Sequence, residues 1–178
     1  TERMNSIIND MLKLNMLETS QDFPAENIDP VEIIDDCLDI LAEKIRRRSL
    51  KAERRGAGKG FAVTGNRFLA QEIFFNLIDN AIHYNREGGS ITVTATVHPG
   101  GITIAVGDSG IGIPPDSLDR IFERFYRVDK SRSRSTGGTG LGLAIVKHAA
   151  ELLHWRITVT SVPGDTVFTV EIGGQVRP

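Results

Sequence analysis

Residues 102–113 read Ile-Thr-Ile-Ala-Val-Gly-Asp-Ser-Gly-Ile-Gly-Ile, and this stretch sets the fold class. Its first five residues alternate in apolarity, which predicts a half-buried β-strand. The turn-forming residues from Asp108 onward predict that the strand ends abruptly. In such a turn, an aspartate either bonds its own backbone or offers its carboxylate, which only accepts hydrogen bonds, to the amino group of a planar base lying against the glycines. The pattern alone leaves both interpretations open.

Alternating strands and amphipathic helices surround this stretch. Residues 90–97 also alternate, and residues 98–101 supply the turn of an antiparallel hairpin. Helices are predicted over residues 31–48, over 67–84 with Asn66 as the capping residue, and over 141–153. Further strands are predicted over residues 23–28, over 156–161 and 166–172, and as a hairpin of 50–54 with 60–64. This order predicts an α+β fold, a two-layer α/β sandwich with a mixed, mostly antiparallel sheet of about five strands packed on three helices.

A separate helix is predicted over residues 3–19. Its apolar residues recur at spacings of three and four and form one stripe, which consists of Met4, Ile7, Ile8, Met11, Leu14 and Leu17. Such a stripe requires a packing partner. We favour the seam of a helix bundle or coiled coil, and the alternative is packing on the helix's own domain.

The composition is that of a soluble globular domain. Of the 178 residues, 40% are hydrophobic and 25% are charged, and the net charge of -2 provides no overall attraction to nucleic acid. No apolar run approaches the roughly 18 to 20 residues that a membrane span needs. Cys37 is the single cysteine, so no internal disulfide forms and we expect a reducing compartment.

Two further motifs carry polar or glycine residues at informative spacings. Asn76, Asn80 and Tyr84 are four residues apart on a predicted helix and therefore share a face. A buried asparagine either bonds neighbouring backbone or helps to hold Mg²⁺ through its carbonyl oxygen. Residues 137–143, Gly-Gly-Thr-Gly-Leu-Gly-Leu, lead directly into a helix, where free backbone amides and the helix dipole favour an anion such as phosphate. The alternative is a flexible loop with a glycine cap.

In their order and spacing, these motifs resemble the N, G1, F and G2 boxes of the sensor histidine kinase catalytic domain, which has the Bergerat ATP-binding fold. The F box corresponds to residues 121–127, Ile-Phe-Glu-Arg-Phe-Tyr-Arg. The resemblance covers roughly residues 22–173. It implies an ATP-binding domain over residues 22–178, a lid over about 114–139, and a stub of the dimerisation helix over 1–20.

The resemblance implies ATP and Mg²⁺ as ligands and assigns roles to individual residues. Asn80 would coordinate Mg²⁺, Asp108 would bind the adenine amine, and Arg127 would approach the γ-phosphate. Asn76, Asn80 and Arg127 form the set expected to take part in the chemistry. The nucleotide-binding set comprises Asn80, His83, Tyr84, Asp108, Gly110, Gly112, Ile113, Tyr126, Arg127, Gly138, Thr139, Gly140, Leu141, Gly142 and Thr166. Basic lid residues, Lys130, Arg132 and Arg134, add electrostatic attraction or form a solvated loop.

Departures from the family pattern narrow the expected activity. ATP-hydrolysing relatives have a glutamate at the position of Asn76, and an amide cannot act as a general base, which favours phosphoryl transfer over hydrolysis. His83 occupies a position where many members have lysine. None of the histidines, His83, His98, His148 and His154, precedes an acidic residue as the family's phospho-accepting histidine does. We therefore expect no autophosphorylation of this chain.

The expected partners follow from the same resemblance. They are ATP or ADP, the dimerisation and phosphotransfer domain of the same kinase, and the receiver domain of a response regulator. The full-length protein would be a homodimer. This chain would be the cytoplasmic portion of a sensor that reaches the membrane only through preceding segments. Two alternatives remain open, a nucleotide-sensing module without kinase activity and a serine kinase of the anti-sigma type.

Overall fold

A computed structural model describes residues 2–20, 22–128 and 138–173. The helices are α1 (Glu2–Thr19), α2 (Pro30–Arg47), α3 (Arg67–His83) and α4 (Gly142–Leu153), with a short 3₁₀ helix at Pro115–Ser117. The strands are β1 (Glu26–Ile28), β2 (Lys51–Gly56), β3 (Val63–Gly65), β4 (Ser90–His98), β5 (Gly101–Asp108), β6 (Arg156–Val162) and β7 (Asp165–Gly173).

The main sheet has five strands in the order β2-β4-β5-β7-β6. Strands β2 and β4 are parallel, and the other neighbouring pairs are antiparallel. Alternate residues of β4 and β5, such as Ile91, Val93, Ile102 and Ile104, are fully buried on the side of the sheet that faces the helices. Helices α2, α3 and α4 form the second layer, so the predicted two-layer sandwich with a mixed sheet is confirmed.

The predicted hairpin of residues 50–54 with 60–64 is wrong. Strand β2 instead pairs in parallel with β4 and forms one edge of the main sheet. Strand β3 pairs antiparallel with β1 in a separate two-stranded sheet. The physical reason is burial, because β2 is largely exposed along its length whereas Val63 and its partner Ile28 are buried. The two segments therefore have different environments and do not share one sheet.

Helix α3 runs through the centre of the helical layer. Asn66 caps its first turn by accepting a hydrogen bond from the Leu69 amide at 3.1 Å, as predicted. At the other end, the Arg48 guanidinium donates to the carbonyl oxygens of Ile82, His83 and Asn85 at 2.7–3.0 Å. Arg48 satisfies carbonyl groups that lack partners within the helix and fixes the end of α3 beside the candidate site.

The apolar stripe of α1 is divided between two environments. Leu14 and Leu17 are buried in the domain core, whereas Met4, Ile8 and Met11 are exposed. The preference for a helix-bundle seam is therefore wrong for the C-terminal half of the stripe, which packs on its own domain. Across the described ranges, none of the helices combines the length and apolarity that a membrane span requires.

Candidate functional site

Asp108 lies at the end of β5, beside the last strand of the sheet. Thr166 of β7 is its register partner, and Thr166 is buried and shares a 2.7 Å hydrogen bond with the Ser161 hydroxyl. One carboxylate oxygen, Oδ1, accepts the Gly110 amide at 2.8 Å. Burial raises the pKa of the Asp108 carboxyl to about 6, the Gly110 hydrogen bond opposes this shift, and the charge of Asp165 adds to it. The carboxylate thus bonds its own turn through Oδ1, and Oδ2 accepts no hydrogen bond from the described residues.

The turn that follows Asp108 packs against the C-terminal end of α3. The Ile111 amide donates to the Tyr84 carbonyl at 3.1 Å, and a Cβ atom at Gly110 would lie 2.4 Å from that oxygen. The Tyr84 side chain is 40% exposed, which leaves its ring accessible to a ligand. Gly112 packs against Pro163 in the β6–β7 turn, and the Ile113 amide donates to Ser161 Oγ at 2.8 Å.

Asn76 and Asn80 lie on the same face of α3, one turn apart. The Asn76 side-chain amide donates to the Glu72 carbonyl at 2.7 Å, so the bonding to neighbouring backbone that we considered does occur. Asn80 is partly exposed, and its carboxamide bonds to none of the described residues. Mg²⁺ takes oxygen ligands and usually keeps water and phosphate oxygens in its shell, so one carbonyl oxygen at this position fits the ion.

His83 is the next residue toward the end of this face. Its Nε2 atom is buried and has no hydrogen-bond partner among the described residues. Burial lowers the pKa of the His83 imidazole, Asp79 opposes this shift, and the charges of Arg127, Lys44 and Arg48 add to it. A Cβ atom at Gly138 would lie 3.5 Å from Nε2, so the loop before α4 lies beside this nitrogen. An unpartnered buried nitrogen beside a glycine loop is suited to a polar ligand group.

The loop before α4 brings backbone amides to the same place. Gly140 has φ +75°, a conformation that favours glycine, and its carbonyl accepts the Phe125 amide at 2.8 Å. Leu141 is fully buried and provides no side-chain cap for α4, which begins at Gly142. A Cβ atom at Gly142 would lie 2.8 Å from Asn76 Oδ1, so the uncapped end of α4 abuts α3. The amides at this end and the helix dipole favour an anion.

Thr139 and the F-box residues border this loop. Thr139 Oγ1 accepts the Leu141 amide at 3.2 Å and donates to Asp10 of α1 at 2.7 Å. The Arg127 guanidinium donates to the Gly138 carbonyl, which places its charge beside His83. The Tyr126 hydroxyl donates to Ser117 at 3.0 Å, and this contact directs it toward the 3₁₀ helix. Gly137, Lys130, Arg132 and Arg134, named in the sequence analysis, lie outside the described residues, as does the rest of the segment 129–137 of the predicted lid.

Comparison with known families identifies the domain. Residues 65–175 match the family model described as "Histidine kinase-, DNA gyrase B-, and HSP90-like ATPase". The chain belongs to this ATPase family. It is 37% identical to the sensor-like histidine kinase SenX3 of Mycolicibacterium smegmatis over 97% of the chain and 45% of SenX3. It is 39% identical to the phosphate regulon sensor protein PhoR of Pseudomonas aeruginosa over 91% of the chain and 37% of PhoR. The ATPase-family chain thus spans less than half the length of these relatives.

Solved structures agree with the assignment. The mycobacterial sensor histidine kinase MprB has a TM-score of 0.73 and 28% identity over 86% of this chain and 100% of that chain. ShkA, solved in complex with AMPPNP, has a TM-score of 0.82 over 97% of this chain and 36% of its own, and its 23% identity shows the fold alone. ThkA, solved in complex with the response regulator protein TrrA, has a TM-score of 0.74 at 24% identity over 98% of this chain and 48% of its own.

The fold brings the three predicted segments of the ATPase domain together on α3. Gly142 abuts Asn76, Gly138 abuts His83 and Gly110 abuts Tyr84. Sequence reasoning missed two polar residues next to this site. Glu72 lies one turn before Asn76, and Lys13 of α1 pairs with it at 2.8 Å. Glu72 precedes Asn76 by four residues, the same spacing that links Asn76 to Asn80, so the sequence could have placed it on this face of α3. The position of Lys13 beside the site follows only from the fold.

Proposed function

We propose that this domain binds Mg²⁺-ATP and donates the γ-phosphate to a histidine on the dimerisation domain of a two-component sensor kinase. A response regulator would then receive the phosphoryl group on an aspartate. The observation that carries the proposal is the convergence of three glycines on one face of α3, at Asn76, His83 and Tyr84. A Cβ atom would lie 2.4 Å from the Tyr84 carbonyl oxygen at Gly110 and 2.8 Å from Asn76 Oδ1 at Gly142, so glycine at these two positions lets the two loops lie close to α3 on either side of a nucleotide site.

The two ends of this face suit the two ends of ATP. At one end, Asp108 Oδ2 would accept a hydrogen bond from the adenine amine, with Tyr84 and Ile113 beside the base and buried Thr166 behind it. At the other end, the uncapped N-terminus of α4 and the Arg127 guanidinium would stabilise the phosphates. Mg²⁺, bound through Asn80, would neutralise phosphate charge. Positioning and charge neutralisation provide most of the catalysis of phosphoryl transfer.

Asn76 favours transfer over hydrolysis. A carboxamide cannot remove a proton from water, so no general base is present at this position of α3. The carboxylate one turn earlier, Glu72, is buried and paired with Lys13. A protein nucleophile therefore fits the site better than an activated water molecule.

The acceptor histidine belongs to a partner segment. The histidines of this chain, His83, His98, His148 and His154, are followed by Tyr, Pro, Ala and Trp, so none has a following carboxylate to support the imidazole as nucleophile. The relatives are named sensor kinases, and ThkA was solved with a response regulator protein, which supports histidine and then aspartate as successive acceptors. The domain would act as the cytoplasmic end of a longer sensor, with α1 as the end of the dimerisation helix.

Calorimetric titration tests the nucleotide part of this proposal. ADP and the non-hydrolysable analogue AMPPNP are titrated with and without Mg²⁺ into the wild type and Asn80→Ala. Mg²⁺ should tighten AMPPNP binding to the wild type by about tenfold or more, and this gain should vanish in Asn80→Ala because an Mg²⁺ ligand is lost. The control is Asn27→Ala, an exposed residue of strand β1, which should behave as wild type. Absence of binding to the wild type at millimolar nucleotide would contradict the proposal.

A further inference from the structure

Helix α1 docks on the domain along a single face. The residues of this face recur at helical spacings, and Leu14 and Leu17 at its centre are buried. The polar residues of the same face are Asp10, Lys13 and Glu18. Each of them contacts a different part of the domain. Asp10 accepts a hydrogen bond from the loop before α4, Lys13 reaches α3, and Glu18 pairs with the F-box segment. The docked helix therefore touches three of the segments that surround the nucleotide site.

The contact with α3 involves a buried carboxylate. Glu72 is only 8% exposed, and both of its oxygens approach Lys13 Nζ, at 2.8 and 3.1 Å. A buried carboxylate is costly unless a charge partner and hydrogen bonds satisfy it. Lys13 is the cation that pairs with Glu72 among the described residues, and it comes from a helix 59 positions away in the chain. The neutrality of this region thus depends on α1 being docked.

Glu72 also determines the orientation of the Asn76 amide. The amino group of Asn76 donates to the Glu72 carbonyl at 2.7 Å and approaches the Glu72 carboxylate at 3.4 Å. The carbonyl oxygen of Asn76 consequently faces the other way, toward Gly142 at the start of α4. The opposite orientation would place the Asn76 oxygen against the Glu72 oxygens, which is repulsive. The backbone carbonyl of Glu72, with its carboxylate at a longer distance, therefore holds the amino end of the amide, and the oxygen end faces the start of α4.

We propose that Lys13 of α1 neutralises the buried Glu72 carboxylate beside Asn76, so that the site accepts the γ-phosphate of ATP. This inference rests on the proposed nucleotide-binding function. When Lys13 is removed, Glu72 keeps a negative charge close to the triphosphate. The repulsion acts on the terminal phosphate next to the N-terminus of α4 and much less on the adenine end. Docking of α1 therefore controls ATP affinity more than ADP affinity.

Four variants separate this role from simple stabilisation of the fold. Lys13→Met removes the cation and keeps the apolar stem, and Lys13→Arg keeps the charge. The double variant Lys13→Met/Glu72→Gln removes both charges. The control is Lys51→Met, an exposed lysine on β2 that undergoes the same change in net charge outside the contact between α1 and Glu72. ADP and AMPPNP are titrated calorimetrically with Mg²⁺ into each protein, and thermal unfolding is recorded alongside.

Lys13→Met should raise the Kd for AMPPNP by about tenfold and the Kd for ADP by less than about threefold. Lys13→Arg and the double variant should return the AMPPNP Kd to within about threefold of wild type, because no unpaired buried charge remains. Equal losses for ADP and AMPPNP, or a double variant no better than Lys13→Met, would overturn the inference while nucleotide binding by the wild type stands. Failure of the wild type to bind either nucleotide would overturn the proposed function and this inference together.

Discussion

Replacement of Asp108 by asparagine changes one acceptor into a donor at the proposed adenine position. In the wild type, Oδ1 accepts the Gly110 amide at 2.8 Å, and under the proposed function Oδ2 would accept the adenine amine. In Asp108→Asn, the side-chain oxygen stays on the Gly110 amide, and the new amino group faces the adenine amine. Loss of a hydrogen bond to a charged group costs roughly 1.5–3 kcal/mol, which raises the Kd for ADP by about 10- to 150-fold at pH 7.5.

The ratio of the Asp108→Asn Kd to the wild-type Kd for ADP should depend on pH, and this dependence tests whether the carboxylate causes the difference in affinity. Burial raises the pKa of Asp108 to about 6, so at pH 5 most of the free wild-type protein is protonated and must lose that proton to accept the adenine amine. The wild type should lose about tenfold in affinity between pH 7.5 and 5 from this group alone, whereas the asparagine does not titrate. Titration of the ADP phosphates and of His83 affects both proteins and cancels in the ratio. The ratio of variant to wild-type Kd should therefore shrink by about tenfold at pH 5.

Asp108→Asn should weaken ADP binding but stabilise the fold. Because the folded-state pKa of about 6 exceeds the ordinary value of 3.8, the ionised carboxylate destabilises the fold above this window, and the cost disappears as the pH falls below 3.8. Asp108→Asn should raise the free energy of unfolding at pH 7.5 by roughly 1–3 kcal/mol, allowing for partial solvent screening. A variant that binds ADP as tightly as the wild type at every pH would refute the assignment of Asp108 to the adenine amine.

Three other substitutions test separate parts of the structure. His83→Lys should tighten ADP binding at pH 7.5 by about threefold or more, as calorimetry would show, because burial lowers the pKa of the wild-type imidazole and keeps it neutral there, whereas lysine carries a charge. Gly140→Ala should lower the free energy of unfolding by roughly 1–2 kcal/mol, because its φ is +75°, while Gly58→Ala, where a Cβ atom meets nothing within 4 Å, should not. Leu17→Ala should lower the free energy of unfolding, measured by urea denaturation, by roughly 2–5 kcal/mol, and Leu12→Ala at an exposed position should lower it far less. Equal effects would show that α1 is not part of the folded domain.

The sequence predicted elements whose signals are local. The strands β4 and β5 alternate along their own length, the cap of α3 depends on Asn66 and the amide three residues later, and all were found in place. The hairpin of residues 50–54 with 60–64 failed because pairing is a property of the whole sheet. Glycines between two short segments indicate a turn, but they do not reveal that β2 finds its partner in β4.

The same distinction between local and long-range signals applies to the candidate site. The motifs around Asn80, Asp108 and Gly142 are contiguous, so each was recognisable before their convergence on α3 was known. Contacts of α1 were not recognisable, because Asp10 and Thr139 are separated by 129 positions. The apolar stripe of α1 predicts that the helix has a packing partner, but only the fold shows that Leu14 and Leu17 pack against the helix's own domain.

Phosphoryl transfer to histidine is the central claim, and γ-labelled ATP tests it most directly. The domain is mixed with Mg²⁺, labelled ATP and the helix pair that carries the acceptor histidine in its own parent kinase, with Asn80→Ala as the inactive control. The account predicts acid-labile label on the helix pair with the wild type, none on the domain itself and none with the control. Binding of ATP without any transfer, or acid-stable label on a serine, would contradict it.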